Sequence, residues 1–386
     1  MQPHDVQIRR LRRRNCRFRC AAWLALVGLL SLCPLPAGCG RPPDGRRAPH
    51  AAPSGGFGGG GPASAAVDLG ALGKESSSPL GVNDSGVVVG YCYDDEREES
   101  QRPFIWMNGR MRDLAGARAG SGTAQCLNSA GVVAGCWADP GGPTRAVLWV
   151  DGKMTPLPGL GGKETVAGCV NDAGAAAGWG YLPDNRTQRP ILWSHRRATD
   201  LGSMGGTVCV AHAVNKSGLV VGWGRLRGDR ARHAFIWSKG TMRDLGTLGG
   251  SSSWGMGVND AGVAVGYSQL RGDRERHAFS WFAGRMTDLG TLGGPESFAY
   301  GINDKGRIVG FSDTFGGRER HACLWDGGRI VDLGTLGGDW SYGTAISPNG
   351  LVVGQSNLAT NHYAFHACIF EVSRGPHGPR PGSPGR

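Results

Sequence analysis

The chain has 386 residues, 68 of them glycine, and a formal net charge of +11. The glycines follow no three-residue period, which excludes a collagen-like chain. Hydrophobic residues make up 40%, so a core is available, and glycine at this density points to tight turns between short strands. The charge sits at the ends, +6 over residues 1–39, +2 over 40–66 and +3 over 374–386, so residues 67–373 are neutral. A neutral folded part argues against a nucleic-acid partner.

The first element is an export signal. Arg9, Arg10, Arg12, Arg13 and Arg14 precede thirteen apolar residues, 21–33. That run is too short to span a membrane comfortably and has the layout of a secretory n-region and h-region. Leu35-Pro36-Ala37-Gly38-Cys39 follows and resembles the end of a bacterial lipobox, with Pro36 where leucine is usual. Residues 1–39 are therefore expected to be a signal peptide of lipoprotein type, with lipid on Cys39. Cleavage near Ala37 and a soluble product is the alternative. Residues 40–66 are mostly Gly, Pro, Ala and Ser and read as a linker. Residues 374–386 have the same character and are expected to be a disordered tail.

Between them the chain repeats. Asp-Leu-Gly-Thr-Leu-Gly-Gly starts at Asp244, Asp288 and Asp332, and degenerate copies start at Asp68, Asp113, Pro156 and Asp200. Seven copies at an even period of roughly 44 residues signal a repeat architecture. In the fifth copy four strand-like pieces are expected, over 254–259, 262–268, 277–282 and 285–292. Asn259-Asp260-Ala261-Gly262 joins the first two as a short hairpin, since Asn and Asp bond their own backbone and Gly takes the left-handed position. The first piece of each copy is rich in small residues, such as Gly343-Thr344-Ala345, which suit strands converging on an axis. The second is a continuous apolar run, such as Val87-Val88-Val89, which suits burial on both faces. Residues 67–72 look like an outer strand without earlier strands, and the last copy ends at 372 without an outer strand. The expected fold is all-β: a seven-bladed β-propeller of four-stranded antiparallel blades over 67–373, with the N-terminal strand closing the last blade.

Copies four to seven carry His233-Ala234-Phe235, His277-Ala278-Phe279, His321-Ala322-Cys323 and His366-Ala367-Cys368. With the Asp-Leu-Gly-Thr-Leu-Gly-Gly and Asn-Asp-x-Gly pieces, residues 67–373 resemble the bacterial extracellular HAF-repeat family. Copies one to three depart from it, with Arg102, Arg145 and Arg189 at the histidine position. The resemblance implies export and a propeller-type repeat and brings no catalytic residue.

The candidate sites follow from position. Trp254 and Trp340 lie near the start of the first strand, where a ligand at the axial mouth could stack, packing in the core or at the rim being the default. Asn83, Asn171, Asn259 and Asn303, with Asn128 and Asn215, would ring one mouth and offer amides to a sugar or ion, although the same residues cap turns. The repeat histidines fall on separate copies, which excludes a shared metal, and Arg in their place suggests a hydrogen-bond donor to a loop carbonyl. Asn-Asp-x-Gly offers too few oxygens in one segment for calcium. Seven cysteines after Cys39 and no CxxC argue against a disulfide framework or zinc site. Cys126 and Cys169 occupy the same first-strand position in adjacent copies, where a bridge is open to them, buried free thiols being the default. No metal, cofactor or catalytic set is expected. The expectation is an exported or outer-membrane-tethered binding or scaffold propeller without catalysis, recognising a protein or polysaccharide of the cell envelope and touching the membrane through its lipid only. The alternative is a carbohydrate-active hydrolase or lyase with its site at the axial mouth.

Overall fold

A computed structural model describes residues 66–94 and 97–372. The signal segment with Cys39, the linker up to residue 65 and the tail 374–386 lie outside these residues. The described residues form strands joined by turns and contain no helix.

Copy five shows how the local sequence builds the unit. Gly249–Val258, Ala264–Leu270, Arg276–Phe282 and Arg285–Asp288 pair in chain order, each antiparallel to the next. The first hairpin closes as its residues dictate. Asn259 Oδ1 accepts the Val263 amide at 2.9 Å, and Gly262 has φ +81°, a value that costs glycine nothing. The first strand starts earlier than its side-chain pattern indicates, because Gly249 pairs back with Leu270. The last strand is shorter than the expected 285–292. Asp288 accepts the Gly290 amide at 2.8 Å and the chain turns away there. Gly266 is required by contact: a Cβ on it would overlap the Trp254 carbonyl oxygen.

The same antiparallel order recurs in the other copies. In copy seven, Gly337–Ile346, Val352–Leu358 and Phe365–Phe370 pair with one another. The outer place is taken from the other end of the chain: Ala66–Asp68 runs antiparallel to Phe365–Phe370, with Ala66 opposite Phe370.

The core lies between copies. Val221 and Ala234 of copy four pack with Ala264, Phe279 and Trp281 of copy five. Val353 and Ala367 of copy seven pack with Val82, Val88 and Phe104 of copy one. Each copy thus buries its apolar faces only against its neighbours, as stacked repeats must. Trp149, Trp193, Trp281, Trp325 and Phe370, which recur at one position of the repeat, are buried here.

Each first strand carries a β-bulge, at Leu80, Gln125, Gly168, His212, Met256, Tyr300 and Thr344. The extra residue bends the strand. The small residue that follows, such as Gly81 or Gly301, then faces the same position of the next copy: a Cβ on Gly81 would lie 3.0 Å from the Cys126 Cα.

Two side-chain clasps recur. Ser297 Oγ accepts the Ala278 amide of the preceding copy at 3.0 Å and donates to the Gly290 carbonyl at 2.7 Å. Ser77, Ser253 and Ser341 do the same. The repeat histidines bond to carboxylates rather than to loop carbonyls: His233 to Asp244, His277 to Asp288, His321 to Asp332 and His366 to Asp68, each through Nδ1 at 2.8 Å. Arg102 takes Asp113 at 2.7 Å and adds the carbonyls of Gly116, Arg118 and Gly120. The histidine of His-Ala-Phe and the aspartate of Asp-Leu-Gly are therefore one device, tying the third strand to the fourth.

Deleting residues 67–73 removes most of the terminal strand pair, the His366–Asp68 contact and the Leu69 amide bond to the Ala367 carbonyl. The melting midpoint of the deletion variant is expected to fall by several degrees; an unchanged midpoint would mean that the terminal pairing carries no stability.

A pH dependence follows from the same clasps. Hydrogen bonds to Asp288 and Asp332 raise His277 and His321 above the ordinary histidine value, against burial. Burial pushes the carboxyls of Asp288 and Asp332 up, but the bonds from histidine and from the Gly290 and Gly334 amides outweigh it and hold them low. A raised histidine contributes stability that is complete below pH ~6.5 and is lost as pH rises through its folded value; a lowered carboxyl contributes stability that is complete above pH ~4 and is lost as pH falls through its folded value. His212 works the other way, since burial holds it down to about 4 and protonating it below pH ~6.5 costs stability. The informative quantity is therefore the difference between wild type and a His277→Gln, His321→Gln variant. That difference in melting midpoint is expected to be largest near pH ~5 and to shrink above pH ~8. A difference independent of pH would show the pairs to act as neutral hydrogen bonds.

Candidate functional site

The first strands have two ends, and the two are chemically unlike. At the asparagine end, equivalent residues of all seven copies, from Asn83 and Asp84 round to Ile346 and Pro348, line one cavity of ≈ 250 Å³. Its wall is a relay. Asn83 Nδ2 donates to the Asn128 carbonyl, Asn128 to Asn171, Asn171 to Asn215, Asn215 to Asn259, Asn259 to Asn303 and Asn303 to Ser347, at 2.8–3.4 Å. Ser347 has no amide, and Asn349 takes over by donating to the Asp84 carbonyl at 3.1 Å. Each turn asparagine also accepts, through Oδ1, the amide four residues on.

Asn83, Asn171, Asn259 and Asn303 thus do line a cavity, but their amides are already bonded at both ends. A ligand there would meet groups engaged in holding copies together. The aspartates beside them are engaged too. Asp172, Asp260, Asp304 and Asp84 accept the main-chain amides of Ser129, Lys216, Asp260 and Asn349. Bonds from Ser129 hold the Asp172 carboxyl low, against burial. Lys216 Nζ reaches Asp260 at 3.2 Å and Asp172 at 3.7 Å, and among the described residues it is the one basic side chain in this wall. Among the described residues no three His, Cys, Asp or Glu side chains come together as metal ligands.

The opposite end carries aromatic rings. Trp254 stacks on Tyr267 at 4.7 Å and Tyr267 on Phe298 at 3.9 Å. Phe298, Phe311, Tyr342 and Phe365 continue the line at 4.7, 5.1 and 6.0 Å. Trp340 ends it, parallel to Phe365 at 6.4 Å. The two candidate tryptophans are therefore the two ends of one chain of seven rings through copies five, six and seven. Trp254 is half-buried, with Arg232 5.3 Å from its ring. Trp340 is 43% exposed.

Arginines lie over the rings: Arg276 over Phe298 at 4.8 Å, and Arg320 over Phe311 at 4.5 Å and Tyr342 at 5.9 Å. Glu296 joins them, at 2.6 Å from Arg276 and 3.2 Å from Arg320, and Asp313 meets Arg320 at 2.8 Å. Burial raises the Asp313 carboxyl, only partly offset by Arg320. Burial also works against charge on Arg320, but Tyr342, Asp313 and Glu296 outweigh it and hold the guanidinium firmly protonated.

Sequence reasoning missed this charge cluster. Glu296 stands where Ser252 and Trp340 stand in adjacent copies, and Asp313 where Gln269 and Asn357 stand. Departure from the repeat was the available signal. The loops between second and third strands share this end with the Gly-Gly loops: the Asp273 carboxylate accepts the Ser251 amide at 2.7 Å and Asp229 the Thr207 amide at 2.9 Å. Two of those loops hold the most exposed rings, Phe315 at 91% and Tyr363 at 83%. Tyr363 follows His362, whose carbonyl accepts Asn357 Nδ2; Asn357 Oδ1 in turn accepts the Trp340 amide.

No protein-family model matches the chain, and no curated protein matches its sequence. Solved structures do match. The β-propeller domain of the Trilobed protease from Pyrococcus furiosus, described as having an open velcro topology, superposes with TM-score 0.52 at 10% identity, over 77% of this chain and 96% of that one. TolB from Acinetobacter baumannii matches with TM-score 0.44 at 11% identity, over 64% of this chain and 62% of its own. Oligogalacturonate lyase from Vibrio parahaemolyticus matches with TM-score 0.46 at 9% identity, over 80% and 93%. The first of these likenesses, with the strand order described above, makes the fold a β-propeller.

Proposed function

We propose that the seven copies are the blades of a seven-bladed propeller, closed by the N-terminal strand, and that the protein is a non-catalytic binding or scaffold module of the bacterial cell envelope. Closure is supported by bonds from copy seven to copy one: Thr344 Oγ1 to the Pro79 carbonyl at 2.6 Å, and the Ala367 amide to Ser77 Oγ at 2.8 Å. The binding role rests on one observation: Trp340 is an exposed ring lying parallel to Phe365, on a strand whose Trp340 amide is bonded to Asn357. An exposed aromatic packed parallel to a second ring presents a flat apolar face. Such a face suits the C–H faces of a polysaccharide or an apolar side chain of a protein. Loops of differing sequence on a repeated frame are the usual place for such recognition.

Thermal unfolding of the purified protein against a panel of polysaccharides tests this. A ligand at one hundred times its dissociation constant adds about 2.7 kcal/mol. One glycan class is expected to raise the midpoint, and Trp340→Ala to weaken that binding roughly tenfold or more, about 1.4 kcal/mol. Shifts that survive Trp340→Ala move the site elsewhere; no shift with any glycan leaves a protein partner, to be sought by pull-down from the envelope. The alternative, a carbohydrate-active hydrolase or lyase, has Asp313 in its favour, a carboxyl raised by burial and sharing Arg320 with Glu296. Product release from the same panel would establish it.

The address is part of the same reading. The basic and apolar run of residues 1–33, the Ala37-Gly38-Cys39 junction and the likeness of 67–373 to HAF repeats support export, with Cys39 as the lipidated residue of an outer-membrane or extracellular protein. Cys39→Ser is expected to move the protein from the membrane fraction to the soluble one; retention in the membrane would refute the anchor.

A further inference from the structure

Seven cysteines lie among the described residues, and five of them are buried. The two that retain exposure, Cys126 and Cys169, are also the two that meet, with Sγ atoms 3.0 Å apart. Both line the cavity at the asparagine end, so a small reagent entering it has a route to them.

Their meeting is built by the fold. Each follows the bulge of its first strand. At the other copies this position holds Gly81, Ala213, Gly257, Gly301 and Ala345. A Cβ on Gly301 would lie 3.6 Å from the Ala345 Cα, so those two Cα atoms are no more than about 5 Å apart, at the short end of the span of a disulfide. Only between copies two and three do both neighbours carry sulfur. Strand ladders cross from copy three to four, five to six and six to seven. None joins Ser121–Leu127 and its sheet to that of Thr165–Val170; across this seam the Thr165 amide donates to the Thr144 carbonyl at 3.0 Å.

We propose that Cys126 and Cys169 are a redox site that forms a reversible disulfide between copies two and three, taking a small-molecule or protein disulfide as oxidant. The Cys169 thiolate attacks one sulfur of the oxidant and expels a thiolate, leaving a mixed disulfide on Cys169. Cys126 loses its proton to water and attacks Cys169 Sγ, expelling the second thiolate. Two protein thiols become one disulfide, and the oxidant's disulfide becomes two thiols. The order of attack follows from the hydrogen bond between them, which lowers Cys169 against its burial, with help from the main chain at Val214 and Val170. The same bond, with burial, raises Cys126.

Equilibration of the purified protein with oxidised glutathione, followed by alkylation, tryptic digestion and mass spectrometry without reductant, tests the site. Residues 119–145 hold both Cys126 and Cys136, and residues 164–186 hold Cys169 alone. The expected product joins these two peptides and is two mass units lighter than the pair of thiols. It is expected to persist in Cys136→Ser, to vanish in Cys126→Ser and in Cys169→Ser, to reverse with dithiothreitol, and to raise the melting midpoint in wild type only. The proposal is overturned if both thiols stay open to alkylation, if each carries a separate glutathione, or if the cross-link survives Cys126→Ser.

Discussion

Neighbouring copies are set at a fixed spacing by one repeated hydrogen bond, from the side-chain amide of a turn asparagine to the carbonyl of its counterpart in the next copy. The bond works only with an amide. Oδ1 is fixed by the residue's own turn, so the other end of the side chain must be a donor if it is to meet a carbonyl. Aspartate in the same place would set acceptor against acceptor at a buried side chain, which leaves a carbonyl without its donor. The first strands that end on this relay are thereby brought close enough that the residue after each bulge is Gly, Ala or Cys. The cavity, the small-residue pattern and the seam that holds Cys126 and Cys169 all follow from that convergence.

The two ends of the first strands divide the work. At the asparagine end nearly every polar side chain is engaged in joining copies, and variation is small. At the other end the frame needs only the Gly-Gly loops and the serine clasps. The remaining positions are free to differ between copies, as Glu296, Trp340 and Asp313 do. A recognition surface is therefore expected where departure from the repeat does not break the frame.

The sequence carried the repeat plainly because each element needs a particular residue type: Asn and Gly for the hairpin, Val-Val-Gly for a strand pressed against its neighbour, Asp before a Leu-Gly loop for the outer turn. The histidines were legible as donors but not as partners of the aspartates eleven residues later, since that pairing depends on strand register. The bulges left no mark, because an extra Met256 or Tyr300 among small residues does not disturb the period. Trp254 and Trp340 stood out by size, yet the chain of seven rings that they end draws on six strands, and only packing brings those together. The serine clasps were invisible for the opposite reason: Ser253 or Ser297 in a polar loop looks like any turn residue.

Copy seven is assembled from both ends of the chain, and this gives the protein an order in which it can be finished. The histidine–aspartate pairs within a copy join residues 11 apart, whereas His366 and Asp68 are 298 apart. For a flexible chain the longer closure costs about 3 kcal/mol more in entropy. Stacking the intervening copies first brings the two ends together and removes most of that cost. Completion therefore comes last, after residue 370 has been made and delivered. Until then residues 66–69, the earliest part of the propeller to emerge, wait without their strand partner. A chain threaded through a membrane from its N-terminus would cross in that unfinished state, with an open edge on the last copy, and would lose that edge only when its final strand arrived.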